Sequence, residues 1–184
     1  MTVHDAIESE RLILRRWTLQ DAPTVNHIYA DSETMRLFAN GQTFTPEELA
    51  ASFVNVIKEY SETNLGNYAV VERSTGDIIG HCGIHISREP GIDVEADWLI
   101  SRDRWNRGYA TEAAGAVLSS AFALHGLHRI GGVAHRDNAA SIAVMRKLYM
   151  TPFAELLRFE MPSVLYSVSA DTFEKSAKGR TTWE

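Results

Sequence analysis

Large apolar residues crowd and alternate along RLILRRW, Arg11 to Trp17, which predicts a strand. Thr18 to Asp21 is close to a capping box and predicts a helix running to about Ala30. In TPEELAASFVNVIKEYSE, Thr45 can cap, Pro46 suits the first helical position and Glu48 can close the box. Leu49, Phe53, Val56, Ile57 and Tyr60 then recur at helical spacing, so Pro46 to Glu62 reads as an amphipathic helix. Asn67 to Arg73, the turn STGD and Asp77 to Ile86 form a predicted hairpin. Pro90 and Gly91 break the chain before Asp93 to Ile100, the third strand of a meander. A helix runs from the segment WNRGYATEAAG to about His125, where Gly126 ends it. His128 to His135 reads as a strand and Asn138 to about Leu148 as a helix, with Pro152 closing that segment. FAELLRFE and SVLYSVSA supply the last strands. The order β-α-α-β-β-β-α-β-α-β-β predicts an α+β fold built on one central mixed sheet.

Composition narrows the function classes. The 184 residues fit a single domain, 1–184, with its core over about 8–170 and a solvated tail, 171–184, that includes Lys175, Lys178 and the GRTTW segment. The apolar and charged fractions, 45% and 23%, are those of an ordinary globule. A formal charge of −6 argues against a general nucleic-acid binder and favours cationic small molecules or basic peptides as partners. Cys82 is the one cysteine, so no intramolecular disulfide forms, which fits a reducing cytoplasm. The N-terminal stretch is acidic where a signal peptide would be basic, and no run of ~18 apolar residues predicts a membrane span. The expectation is a cytoplasmic protein.

The segment from Trp105 to Gly115 carries the strongest chemical signal. A helix N-terminus leaves backbone N–H groups without partners and bears partial positive charge, so it attracts phosphate. Gly108 permits close backbone approach, Ala110 keeps the next turn clear, and Arg104 and Arg107 can add charge-assisted bonds to a pyrophosphate. A solvated basic loop before an ordinary helix is the alternative. The segment matches neither the P-loop nor the dinucleotide fingerprint.

VEADWLI, then WNRGYATEA, then NAASIAVMRKL about thirty residues on, resembles the GNAT superfamily of acetyl-CoA-dependent N-acetyltransferases. The tryptophan heading W-x-R-G-Y-A-T-E-A further resembles the branch that acetylates ribosomal-protein N-termini. The resemblance spans nearly the whole chain and implies one GNAT-like domain with a mostly antiparallel, splayed sheet. It implies that backbone groups of Trp98, Leu99 and Ile100 pair with pantetheine. It also implies that the loop Trp105, Asn106, Arg107, Gly108, Tyr109, Ala110, with the amides from Arg107 to Thr111, holds the pyrophosphate. Asn138 would bind pantetheine or position the thioester. The implied reaction moves an acetyl group from acetyl-CoA to a primary amine by direct attack, without metal. The acceptor is a protein or peptide α-amine, or a small amine, and a homodimer is the family's analogy. A catalytically degenerate acyl-CoA-binding module is the alternative function.

The chain departs from the family at Met145, where many members carry a proton-donating tyrosine, and at Tyr149-Met150, where Gly-Phe is usual. Ser141 lies one turn beyond Asn138 on the same face, so its hydroxyl is the candidate donor to the leaving thiolate; a serine that only satisfies its own helix is the other reading. Glu95 and Asp97 share one face of their strand. Glu95, which matches a glutamate often found in the family, is the candidate base, with Asp97 a substrate binder or water holder; a solvated sheet face is again the alternative. His81 and His85 share a face ~13 Å apart, at about 3.3 Å per residue, too far for one zinc, while Cys82 points the other way. Either histidine is a candidate lining of the acceptor groove. The helix from Pro46 to Glu62 and the loop from Phe38 to Phe44 are its expected walls. His125, His128 and His135 lack ligand spacing.

Overall fold

The computed structural model describes residues 6–178 of the chain. Eight strands form one sheet in the order β1-β2-β3-β4-β5-β6-β8-β7. They are β1 (Ala6–Glu8), β2 (Leu12–Arg15), β3 (Gly66–Glu72), β4 (Ile78–Ile86), β5 (Val94–Ile100), β6 (Arg129–His135), β7 (Thr151–Arg158) and β8 (Met161–Ser169). Six helices flank it: α1 (Asp21–Tyr29), α2 (Ser32–Met35), α3 (Pro46–Thr63), α4 (Tyr109–His125), α5 (Ala139–Lys147) and α6 (Ala170–Ala177). Every neighbouring pair is antiparallel except β5 and β6, which the α4 crossover makes parallel. This is the expected α+β, mixed and mostly antiparallel architecture.

That one parallel pair gives the sheet its functional shape. β4 and β5 pair from Gly80↔Ile100 to Ile86↔Val94, whereas β5 and β6 pair only at Val94↔Ile130 and Glu95↔Gly131. Beyond Glu95 the two strands part and leave a gap. β6 stays in the sheet by pairing with β8 along its whole length.

Each face of the sheet buries a separate cluster. On one, α4 lies against Cys82, Ile84, Val94, Ala96 and Ile130 through Tyr109, Ala113, Ala114, Val117 and Leu118. The fully buried alanines let the helix backbone come close to the sheet, which explains its alanine-rich first turns. On the other face, Trp17, Val25, Ile28, Met35, Leu49 and Phe53 cover Ala69 and Leu99. The predicted capping box of α3 is complete: Glu48 N–H donates to Thr45 Oγ1 at 3.2 Å and Thr45 N–H to Glu48 Oε2 at 2.8 Å.

Three local expectations change. The opening strand is shorter than predicted and forms a hairpin with β1, whose three residues carry too little pattern to read. Pro152 sits inside β7, beside a register irregularity; β7 is an edge strand, where the missing N–H breaks no ladder bond on its open side. The described part of the expected tail, 171–178, is not a solvated end. Ser169 caps α6, and Phe173, 3% exposed, packs on Phe122 at 5.3 Å between ring centroids. Lys175 and Lys178 lie on or just after that helix, while the GRTTW segment lies outside the described residues.

Candidate active site

Strand parity decides which backbone groups face the gap. Ser101 N–H donates to the Ile79 carbonyl at 2.8 Å and Ser87 N–H to the Asp93 carbonyl at 3.3 Å, so odd-numbered residues of β5 bond to β4. Trp98 and Ile100 therefore turn their backbone groups toward the gap, and Leu99 turns its own toward β4. Of the three residues expected to pair with pantetheine, Leu99 is placed to support the strand instead. Its side chain is buried in the cluster beneath α1 and α3. The Ile100 carbonyl already accepts the Trp105 indole N–H at 2.7 Å, which leaves the groups of Trp98 as the most open edge.

The loop after β5 is held from three sides. A short 3-10 turn, Arg102–Arg104, leads to Asn106 at φ 60° and Gly108 at φ 81°, from which α4 starts. Gly108 stands where an N-cap side chain would, in a left-handed conformation that favours glycine. A Cβ added there would lie 3.3 Å from Arg11 Nη2. Arg11 is itself bound: its Nε donates to Glu112 Oε2 and its backbone N–H to Glu112 Oε1, both at 2.7 Å, while Nη1 donates to the Arg107 carbonyl at 2.9 Å. Glu112 in the first turn would repel an anion, and Arg11 neutralises it.

Arg104, expected to contact pyrophosphate, has other work. Its guanidinium pairs with Glu72 at 3.2 Å, with Asp77 at 3.3 Å and with Asp103. Glu72 also accepts from Tyr109 Oη and from Thr75. The bond from Tyr109, with Arg104 and Thr75 behind it, holds the Glu72 carboxyl below its usual range. Arg104 and Tyr109 thus fasten the loop to the β3–β4 hairpin and are spent there. Arg107 is exposed, and its guanidinium has no bonded partner among the described residues, so of Arg104 and Arg107 it is the one left for a ligand.

Because β5 and β6 are parallel, α4 and α5 both begin beside the open end of the gap. Asn138 caps α5, its Oδ1 accepting the Ser141 N–H at 3.0 Å, and its Nδ2 reaches the Leu37 carbonyl at 3.4 Å. The expected ligand asparagine therefore also joins α5 to the loop after α2. Ser141 is half-buried on the first turn, and its hydroxyl makes no hydrogen bond among the described residues. Met145 is fully buried, against Gly132. Tyr149 keeps the left-handed turn at φ 63° that the family's glycine would supply, and packs on the core.

The opposite sheet face brings His81, His85, Glu95 and Asp97 together. Cys82 is buried on the α4 side. Glu95, expected as the base, is 4% exposed and fully engaged. Ser87 Oγ donates to it at 2.9 Å, Arg158 Nη2 reaches both carboxylate oxygens at 3.2 Å, and His85 Nε2 lies 3.8 Å away. Burial pushes its proton affinity up, but His85, Ser87 and Arg158 together outweigh that and hold it at about 2. So weak a base removes little proton from an amine near neutrality, which argues against the expected role. His85 carries the complementary shift: the Glu95 carboxylate raises it above its ordinary value against the opposing effect of burial. Its ring lines an open cleft of about 340 Å³ with Glu59, Gly66, Asn67, Ile86 and Arg88. His81 lies deeper, its Nδ1 2.8 Å from Tyr29 Oη, and burial lowers its affinity for a proton. Asp97 Oδ2 accepts from Asn67 Nδ2 at 3.2 Å.

Arg158, Ser87 and Asn67 were not legible as site residues. Arg158 meets Glu95 across 63 positions, through the curl of the β7–β8 hairpin over this face. Among the described residues no group of three or more His, Cys, Asp or Glu side chains is placed to hold a metal ion, and no helix is long and apolar enough to cross a membrane.

The chain matches the family described as Acetyltransferase (GNAT) domain over residues 11–151. The uncharacterized N-acetyltransferase YnaD of Bacillus subtilis is 32% identical over 144 residues, covering 78% of this chain and 81% of its own. A solved GNAT-family acetyltransferase from Bacillus anthracis superposes with a TM-score of 0.79 at 24% identity, over 90% of this chain and 99% of that one. Mycobacterium smegmatis RimJ, solved in complex with CoA-disulfide, gives 0.79 at 16% identity over 98% and 97%. At these identities the structural likeness speaks for the fold.

Proposed function

The chain belongs to the GNAT acetyltransferase family, and on that premise we propose that it transfers the acetyl group of acetyl-CoA to a primary amine by direct attack. The observation that carries this reading is the gap between β5 and β6, with two helix N-termini at its open end. Bound acetyl-CoA supplies an activated thioester carbonyl. The Trp98 backbone offers it a strand edge, the amides from Tyr109 to Thr111 and the Arg107 guanidinium face its pyrophosphate, and Asn138 flanks the gap. In the transfer the amine nitrogen bonds to the carbonyl carbon, the C–S bond breaks, and the thiolate takes a proton. Ser141 Oγ is the group on α5 we assign to that proton.

His85 replaces Glu95 as the base on the acceptor side. Its ring faces the cleft, and Glu95 fixes it from behind, while Arg158 and Ser87 fix Glu95. An amine must be neutral to attack, and the neutral form of His85, made a stronger base by the nearby carboxylate, accepts the proton that the amine gives up. An acidic chain with Glu59 in the cleft lining, beside Arg88, and Asp97 bonded to the lining residue Asn67 suits a cationic acceptor, and we favour the α-amine of a protein or peptide N-terminus over a small amine. Release of free thiol from acetyl-CoA, measured with peptides of varied first residue beside small amines, tests both levels. Turnover with some amine is expected. Tight acetyl-CoA binding with no thiol release from any member of the panel would favour a binding module instead.

A further inference from the structure

Gly83 lies near the middle of β4, on the acceptor face. Across the strands its register partners are Asn67 on β3 and Asp97 on β5. Along β4, two residues away in each direction and on the same face, stand His81 and His85. Four polar side chains therefore ring one position that has none. A Cβ at Gly83 would lie 2.2 Å from the Gly66 carbonyl oxygen and 2.5 Å from Asn67 Oδ1, so only glycine fits. The space above it is crossed by the bond from Asn67 to Asp97.

That bond leaves polar atoms over. Asn67 Oδ1, Asp97 Oδ1 and His81 Nε2 are all buried without a hydrogen-bond partner. They make up three of the six such side-chain atoms among the described residues, and all three belong to this ring. Buried polar groups are ordinarily paired, so three orphans on neighbouring positions of one sheet face call for a partner. Charge points the same way. Asp97 makes an ion pair with no cation among the described residues, its bonded partner being a neutral amide. Its negative charge raises the proton affinity of Tyr29, Tyr60, His81, Cys82, His85 and Glu59, as an uncompensated carboxylate would. Leaving such a charge half-buried and unpaired costs stability unless a cation arrives.

We propose that the acceptor's primary ammonium group is seated among these side chains, beside the Asn67–Asp97 bond rather than in the filled space at Gly83, with its three N–H bonds donated to Asp97 Oδ1, Asn67 Oδ1 and His81 Nε2. The inference rests on the reading of this face as the acceptor side. His81 serves as an acceptor in its neutral form, with Nδ1–H donating to Tyr29 Oη, and its burial favours that form. Asn67 and His85 line both the ring and the open cleft, which supplies the way in. The match of three donors to three acceptors selects primary amines. A secondary ammonium leaves one acceptor unpaired, a quaternary one leaves all three, and an anion meets Asp97 directly. For reaction one N–H leaves its acceptor in the ring and its proton passes to neutral His85, which frees the nitrogen lone pair for attack on the thioester carbonyl.

The test is a titration of the full chain without acetyl-CoA, so that it is independent of turnover. The probes are n-butylammonium, tetramethylammonium and butyrate, followed by nitrogen-15 NMR of the histidine rings. The His81 Nε2 resonance is expected to shift with n-butylammonium and to stay still with the other two. Asp97→Asn keeps the shape of the side chain and should abolish at least a tenfold preference for n-butylammonium over tetramethylammonium. Equal response of His81 to both cations, or full preference retained in a folded Asp97→Asn chain, overturns the proposal and leaves buried water as the occupant of the ring. If Asp97→Asn does not fold, the wild-type shifts alone decide. Absence of thiol release in the acetyl-transfer assay would strike the enzymatic reading and leave this binding result standing.

Discussion

At the scale of residues, Glu95 and His85 divide what one carboxylate was expected to do. Glu95 falls from an ordinary value of 4.5 to about 2 in the folded chain. A depressed carboxylate adds stability above its unfolded value and loses it as pH drops through the folded one. A drop of that size corresponds to about 3 kcal/mol. Glu95→Gln should therefore cost about 3 kcal/mol in urea unfolding at pH 7 and progressively less toward pH 3. A cost that does not change with pH would mean that packing, not the ionised contacts, holds Glu95. For His85 the shift is upward, so its pairing with Glu95 stabilises the fold below the ordinary value of 6.5 and fades as pH rises through the raised one. In kinetics, His85→Gln should lower kcat/KM by tenfold or more near pH 7 and recover as rising pH deprotonates the amine unaided. An unchanged pH–rate profile in that variant would remove His85 from the mechanism.

At the scale of elements, the loop before α4 separates two arginines that look alike in sequence. Arg104 is caged by three carboxylates, and Arg107 is exposed without a bonded partner among the described residues. Arg107→Ala should weaken acetyl-CoA binding by about 1 kcal/mol in calorimetry, with the loss shrinking at high salt. Arg104→Ala should leave affinity nearly unchanged and lower the melting temperature instead. The reverse pattern would put the pyrophosphate on the other side of the loop. Gly108→Val should weaken acetyl-CoA binding by roughly 2 kcal/mol, since a branched side chain both strains a left-handed position and blocks the helix end.

At the scale of the molecule, the last helix belongs to the body of the domain. Phe173 is buried against Phe122 at the far end of α4, so α6 braces the helix whose N-terminus faces the gap. Phe173→Ala should cost about 3–4 kcal/mol in chemical denaturation, as large-to-small changes in a packed core do. A cost below about 1 kcal/mol would mean that the cavity collapses freely and α6 is only loosely attached.

What the sequence determined by itself was everything with a short period or a local cause. The capping box at Thr45, the meander from Asn67 to Ile100, the glycine-led start of α4 and the burial of Cys82 all follow from spacings within one or two turns or strands. The register of the β3–β4 hairpin is not among these: it shifts by one residue between Val70 and Val71, and that irregularity, not the turn, sets Asn67 opposite Gly83. Tertiary structure alone decided the rest, because the decisive partners are far apart in the chain. Arg104 reads as a phosphate ligand until Glu72 and Asp77 arrive from the hairpin, and α6 reads as a tail until Phe122 meets Phe173. Glu95 reads as a base until Arg158 comes over from the last hairpin. A side chain's type and spacing fix what it can bond to, but its proton affinity and its freedom depend on which charges fold against it, and no local pattern records that.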